Sequence, residues 1–325
     1  MWDFKLGEII GLIMKTLPFV IFRLAIYMGI TLLYIIVTGG GAGIGFVAGK
    51  VGGDPAAGAG YGGLIGFGLV STVLYFAREY LLYMVKAGHI AVLERFLAGQ
   101  PVPDGKGQVE YAQARVKENF GESSALFAVD QLIKGILKTF NRITFSIANF
   151  LPIPGLGGAM KLVNAVLNMS MTYLDEVILA YHLRTGSDNI WQSSQRALVL
   201  YAQNYKSILK NAAFLAFFIW LLTFGVFLVV LAPVAGLIAL FPALAGFWTF
   251  AFAALLAYGI KAAVIDPIAM TALMQVYFKS IEGQEPNPEW EQKLAGMSSK
   301  FRELKDKATS WGGGPSPDPS PPPAA

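Results

Sequence analysis

Very few side chains in this 325-residue chain could do chemistry, and their types narrow what that chemistry would be. There is no cysteine, which removes thiolate nucleophiles, disulfides and cysteine-ligated metals together. His89 and His182 are the only histidines and leave little for a histidine-built metal or general-base site. Asp175 and Glu176 are adjacent, so on a helix they point about 100° apart, a poor arrangement for an acid and a base acting on one substrate. Nothing resembles a nucleophile elbow, a zincin helix or a kinase set. The chain therefore reads as a non-enzyme with no cofactor and no metal. What remains are polar groups bordering apolar runs, where a charge is costly and tends to mark a solute path. These are Asn149, Asn164, Asn168, Asp175, Glu176 and Asp266, the last followed by Pro267; Asp130, and Glu79 beside Arg78, hold comparable borders. No charge falls in the middle of an assigned crossing, which argues against a proton pump or a voltage sensor.

Two glycine patterns imitate phosphate-binding loops. Gly58-x-Gly60-x-x-Gly63 matches a dinucleotide fingerprint in letters, but it lies inside an apolar run with no strand before it. Gly49-Lys50 resembles the end of a phosphate loop, yet Ile44 stands where its first glycine belongs and Val51 where serine or threonine must follow.

The elements that must position these groups are membrane helices. Hydrophobic residues make up 55% of the chain and charged ones only 14%, against about a quarter in soluble domains. Residues 24–49 and 55–77 carry no charge, nor do residues 211–260, which hold Pro233 and Pro242 near their middle. At about 1.5 Å per residue the first two runs each cover a hydrocarbon layer of roughly 30 Å, and the third is long enough for two crossings joined by a short turn. The expected fold is all-α and polytopic, with two transmembrane hairpins making four spans. A central segment, 143–174, is broken by Pro152, Pro154 and Gly155-Leu156-Gly157-Gly158 and is interrupted by Lys161. It reads as a re-entrant or interfacial helix pair, or as two further short spans, six in all; if it dips into the membrane it is the expected lining of a permeation path, and otherwise it is a plain amphipathic hairpin on the inner leaflet.

Both hairpins then start and end on one side. All Lys and Arg except Lys50 and Lys161 fall in the N-terminal segment, the middle region or the C-terminal region, so the positive-inside rule makes those cytoplasmic and places both termini inside, in a cytoplasmic (inner) membrane. Met1 to Glu8 lacks a basic signal-peptide start, and the first apolar segment is expected to remain as an anchor. The boundaries are an interfacial entry helix at 1–23, carrying Lys15 and Arg23, a hairpin at 24–77, and cytoplasmic helices at 78–142. There follow the broken segment at 143–183, a cytoplasmic helix at 184–210, a second hairpin at 211–265, protruding and amphipathic helices at 266–310, and a Pro-rich tail at 311–325 that should be disordered.

The first hairpin has a feature that the second lacks. Gly41, Gly45, Gly49 and Gly53 recur every fourth residue, as do Gly58, Gly62 and Gly66 across the Asp54-Pro55 turn. Glycines four apart share a helix face and let two backbones approach, the device by which helices pack in a bilayer. They are the expected helix-packing and oligomerisation residues, or a pore constriction. Elsewhere, Val92 to Gln100 followed by Pro101 and Pro103 parallels Val276 to Gln284 followed by Pro286 and Pro288, a weak parallel repeat. After the second copy, Asn287 caps a helix whose Trp290, Leu294, Met297, Phe301 and Leu304 make one apolar stripe, suited to the protein's own helices, a partner helix or lipid headgroups.

Residues from about Tyr173 to Glu285 resemble the C-terminal part of choline transporter-like proteins. The likeness lies in a polar helix with Ser193, Ser194 and Ala197, a charge-free hairpin, and Val264-Ile265-Asp266 leading to a helix with an acidic exit. The cysteines common in that family's equivalent region are absent. The resemblance implies membrane passage of a small organic cation or lipid-related solute, for which Tyr173 and Tyr181 would supply aromatic faces. Two functions follow as expectations: a transporter or channel for a small solute, or a noncatalytic scaffold or accessory subunit oligomerising through the glycine hairpin. The partners expected are the lipid bilayer and either a second copy or another membrane protein, with no nucleic acid.

Overall fold

A computed structural model describes residues 2–103, 105–119, 129, 131–136, 172–240 and 246–311, less the side chains of 75–81 and 83. Asn149, Asn164, Asn168, Asp130, the Glu79 side chain, nearly all of the broken segment and the tail beyond Trp311 lie outside the described residues. Within them every regular element is helical. In chain order these are α1 (Leu6–Lys15), α2 (Leu17–Gly52), α3 (Pro55–Leu97), α4 (Gln108–Asn119), α5 (Leu174–Thr185), α6 (Ile190–Gln203), α7 (Tyr205–Ile238) and α8 (Phe247–Ile260). A π-helical turn at Lys261–Ile265 leads into α9 (Asp266–Ile281), followed by α10 (Pro288–Met297) and α11 (Ser299–Ser310).

Four helices are long and apolar enough to cross a membrane: Leu17–Gly52, Pro55–Leu74, Tyr205–Ile238 and Phe247–Ile281. The protein is a helical membrane protein. The expected entry helix over 1–23 is instead two elements. α1 stops at Lys15 and α2 begins with Leu17-Pro18, because proline suits a first turn and cannot continue a helix from before it. Arg23 therefore lies in the second turn of a helix that is long and apolar enough to span a membrane.

The chain forms two compact units. One comprises Leu17–Val85 and Ile219–Pro267 and holds the glycine hairpin, the second hairpin and the π-turn. Its outside is apolar while several polar or small groups are inside: Ile36, Ile44, Val73, Trp220 and Val229 are exposed, whereas Arg23, Thr31, Thr38 and Ala42 are buried alongside apolar residues such as Phe19 and Val70. That inversion suits lipid as the solvent. The glycines meet one another across the hairpin. A Cβ added to Gly45 would lie 3.0 Å from the Gly62 Cα and closer still to the Gly58 carbonyl; one on Gly66 would lie 2.5 Å from the Val37 carbonyl oxygen. Gly63 receives the ring of Trp248, and Val234, Ile238, Phe252 and Ala253 form the core of the second hairpin.

The other unit comprises Met1–Thr16, Lys86–Phe218 and Ile268–Ala325. Its middle is α5, of which Leu174 and residues 176–183 are buried. The two copies of the weak repeat end alike, with Gly99 and Gly283 in the left-handed region at φ 71° and 67°. The expected single C-terminal stripe is split. Asn287 does cap α10, accepting from the Glu289 N–H at 2.7 Å, but Ser298 leaves the helical region and its Oγ accepts from the Phe301 N–H to start α11. A serine that can cap competes with helix continuation. Leu294, Phe301 and Leu304 are consequently buried and α10 and α11 pack against α6, while Met297 is 41% exposed and Trp290 lies 6.0 Å from Tyr205.

Candidate functional site

The site is built on a helix that does not close its own hydrogen bonds. Pro267 has no N–H, so a carbonyl one turn before it loses its partner. The chain responds with a π-helical turn over Lys261–Ile265, in which the Asp266 N–H bonds to the Lys261 carbonyl, five residues back. The next carbonyl in that series, Ala262, would need the N–H of Pro267. It accepts instead from Arg23 Nη2 of α2, at 2.8 Å. The same turn brings Lys261 and Asp266 together, with Nζ 2.7 Å from Oδ1. Residues five apart on an α-helix would point about 140° away from each other, so the ion pair depends on the π geometry.

Packing fixes this register. One to two turns along α2 from Arg23, the side chains of Met28 and Thr31 press on Gly259: an added Cβ there would meet Met28 Cε at 2.8 Å and Thr31 Oγ1 at 2.9 Å. Gly259 thus sets how closely α2 and α8 approach, and Arg23 reaches the π-turn because of it.

Arg23 is 1% exposed, yet among the described residues its Nε and Nη1 have no hydrogen-bond partner. A guanidinium carries five N–H groups, and here one bond is made. Each buried N–H left without a partner costs about 1–3 kcal/mol, so one bond to a neutral carbonyl does not offset the burial of Arg23.

The other unit contains a separate polar network. Glu176 of α5 pairs with Lys86 of α3, and burial, aided by the charge of Asp175, pushes its carboxyl up to about 8 against the pull of Lys86. His182 is pushed down to about 4 by burial and by the nearby charge of Arg115. Ser193 donates to the Ile190 carbonyl, so the 2.6 Å contact between His182 Nδ1 and Ser193 Oγ has the imidazole as donor. In that arrangement the histidine does not act as a base toward the serine. His89 Nε2 meets Thr16 Oγ1 at 3.0 Å in the same way, since the threonine donates to the Leu12 carbonyl. Arg184 bonds Glu94 at 2.8 Å and lies 3.5 Å over the Phe278 ring, joining both copies of the repeat to α5.

The residues singled out from the sequence thus separate. Asp266 lies at the π-turn with Lys261. Asp175 and Glu176 lie on α5 in the other unit, as do Tyr173, which is buried, and Tyr181, edge-on to Tyr277 with centroids 6.2 Å apart. Gly41, Gly45, Gly49, Gly58, Gly62 and Gly66 line the inside of the first hairpin, and Gly53, with φ 87°, makes its turn. Arg23, Lys261 and Lys86 were missed as site residues. Arg23 had a signal: it is the one charge between Lys15 and Lys50, and an Asp-Pro pair after a charge-free run announces a carbonyl in need of a donor. Comparison of the chain with protein-family models, with characterised proteins and with solved structures gives no match.

Proposed function

We propose that the protein moves a small solute across a membrane, and that the path passes the π-turn at Arg23, Lys261 and Asp266. The observation that carries this reading is a buried arginine with unused donors on a candidate spanning helix, facing a helix interrupted at the same level. Interrupted helices offer main-chain groups to solutes at depth, and ionisable residues are kept there at a cost only function offsets. In this reading the four apolar helices form two hairpins, both termini lie on the cytoplasmic side of an inner membrane, and the segment 143–174 dips in from that side. The test is saturable flux in proteoliposomes with a panel of anionic, zwitterionic and cationic solutes. Uptake above protein-free vesicles for one class supports it; none for any class counts against it.

The scaffold reading is favoured by one different observation. Gly39, Gly40, Gly43, Gly60 and Gly68 have open space where a Cβ would be, so a second glycine face remains for another helix while the inner face is used within the hairpin. Gly43→Leu should then abolish any oligomer seen in mild detergent; an unchanged oligomer removes this reading.

A further inference from the structure

We infer that Arg23 and the π-turn form a binding site for an oxyanion, the phosphate-type group of either a free solute or a lipid headgroup. This deepens the transport reading and rests on it only for the solute's passage, not for its binding. The geometry is that of a half-used fork. Nη2 lies between Nε on one edge of the guanidinium and Nη1 on the other, and each edge presents two parallel N–H groups to a planar or tetrahedral oxyanion. Ala262 takes one hydrogen of Nη2. Whichever hydrogen that is, the opposite edge keeps both of its donors, since Nε and Nη1 are unpartnered among the described residues.

Nothing described at this level supplies a protein anion to fill that edge. Asp266 is engaged by Lys261 at 2.7 Å, and its pairing is fixed by the π-turn on the same helix. A carbonyl can accept from Arg23 but cannot neutralise it. The group that completes the site must therefore carry negative charge and accept two hydrogen bonds at once, and the two parallel N–H groups of one guanidinium edge match the paired oxygens of an oxyanion better than the single centre of a halide. Because the donors are enclosed, the packing around Arg23 must loosen for the group to enter.

The experiment uses full-length protein in a maltoside detergent, which contains no phosphate. Thermal unfolding is followed during titration with inorganic phosphate in one arm and phosphatidylglycerol in the other, with chloride matched for ionic strength. Arg23→Lys keeps the charge and the bond to Ala262 but has no fork. We expect the native chain to be stabilised in at least one arm, with apparent affinity at least about tenfold weaker in Arg23→Lys, as the loss of one charge-assisted hydrogen bond implies. The arm that responds identifies the source. No stabilisation in either arm, or equal stabilisation of both proteins, overturns the proposal. Should Arg23→Lys fail to fold, hydrogen exchange across 259–266 of the native chain decides: slowing by phosphate or lipid supports the site, and unchanged exchange overturns it. Arg23-dependent binding without flux of any solute would sink transport and keep the site; flux without such binding would do the reverse.

Discussion

Arg23 costs more to bury than its one protein bond returns, and this makes a prediction that separates function from stability. Arg23→Met relieves the burial of a cation with unpaired donors but leaves the Ala262 carbonyl without its donor, at about 1–3 kcal/mol, so the two effects nearly offset. The melting temperature should stay level or rise while solute or lipid binding is lost; a fall of several degrees would show that the arginine is chiefly structural. The buried pair of α5 gives a second residue-scale prediction. Glu176 binds a proton in the folded state up to about 8 but, at its ordinary value of 4.5, releases it on unfolding, so stability falls as pH rises from 4.5 to 8. His182 is neutral when folded down to about 4 but charges near 6.5 when unfolded, so stability falls as pH drops from 6.5 to 4. Across 4.5–6.5 the two oppose and stability should be greatest there, leaving a net alkaline arm from 6.5 to 8 of about 2 kcal/mol and a net acid arm from 4.5 to 4 of less than about 1 kcal/mol. Glu176→Gln should flatten the alkaline arm and His182→Asn the acid arm; an unchanged pH profile of thermal unfolding in both variants would refute the assignment. Neither shift could be read from the sequence, because both arise from packing of α5 against helices distant in the chain.

At the scale of the element, the glycines of the first hairpin divide into two kinds that their spacing alone does not distinguish. Gly45→Ala would drive a methyl into the Gly58 carbonyl, whose backbone has nowhere to retreat, and should cost about 1–3 kcal/mol. Gly43→Ala meets nothing within 4 Å and should be neutral or stabilising by up to about 1 kcal/mol through helix propensity. Unfolding measured side by side in one detergent tests the contrast, and equal effects would contradict it. The four-residue ladder made the inner face legible in advance, since period four is a property of sequence. The outward glycines, the split of the C-terminal stripe at Ser298 and the π-turn were not legible. Each depends on which of two locally possible hydrogen bonds the tertiary packing selects: cap or continuation at Ser298, i−4 or i−5 at Asp266.

For the whole molecule, the apolar runs and the charge brackets were enough to place four candidate spanning helices, because lipid imposes length and composition directly. What charge brackets could not show was that one continuous helix carries Arg23 and the apolar run after it. The absence of cysteine makes orientation directly measurable, since a single introduced thiol is the only target for labelling. Lys50→Cys, at the hairpin turn, and Ser310→Cys, at the end of α11, should react with an impermeant maleimide from opposite faces of the membrane; labelling from the same face would overturn the proposed topology.

The central claim is that Arg23 at the π-turn handles the solute, and one comparison tests it most directly: initial flux in proteoliposomes of the native chain and of Arg23→Lys at equal protein density. The native chain should show saturable flux of an anionic solute, with a loss of at least about tenfold when the fork is removed but the charge retained. Equal flux in the two proteins would contradict it.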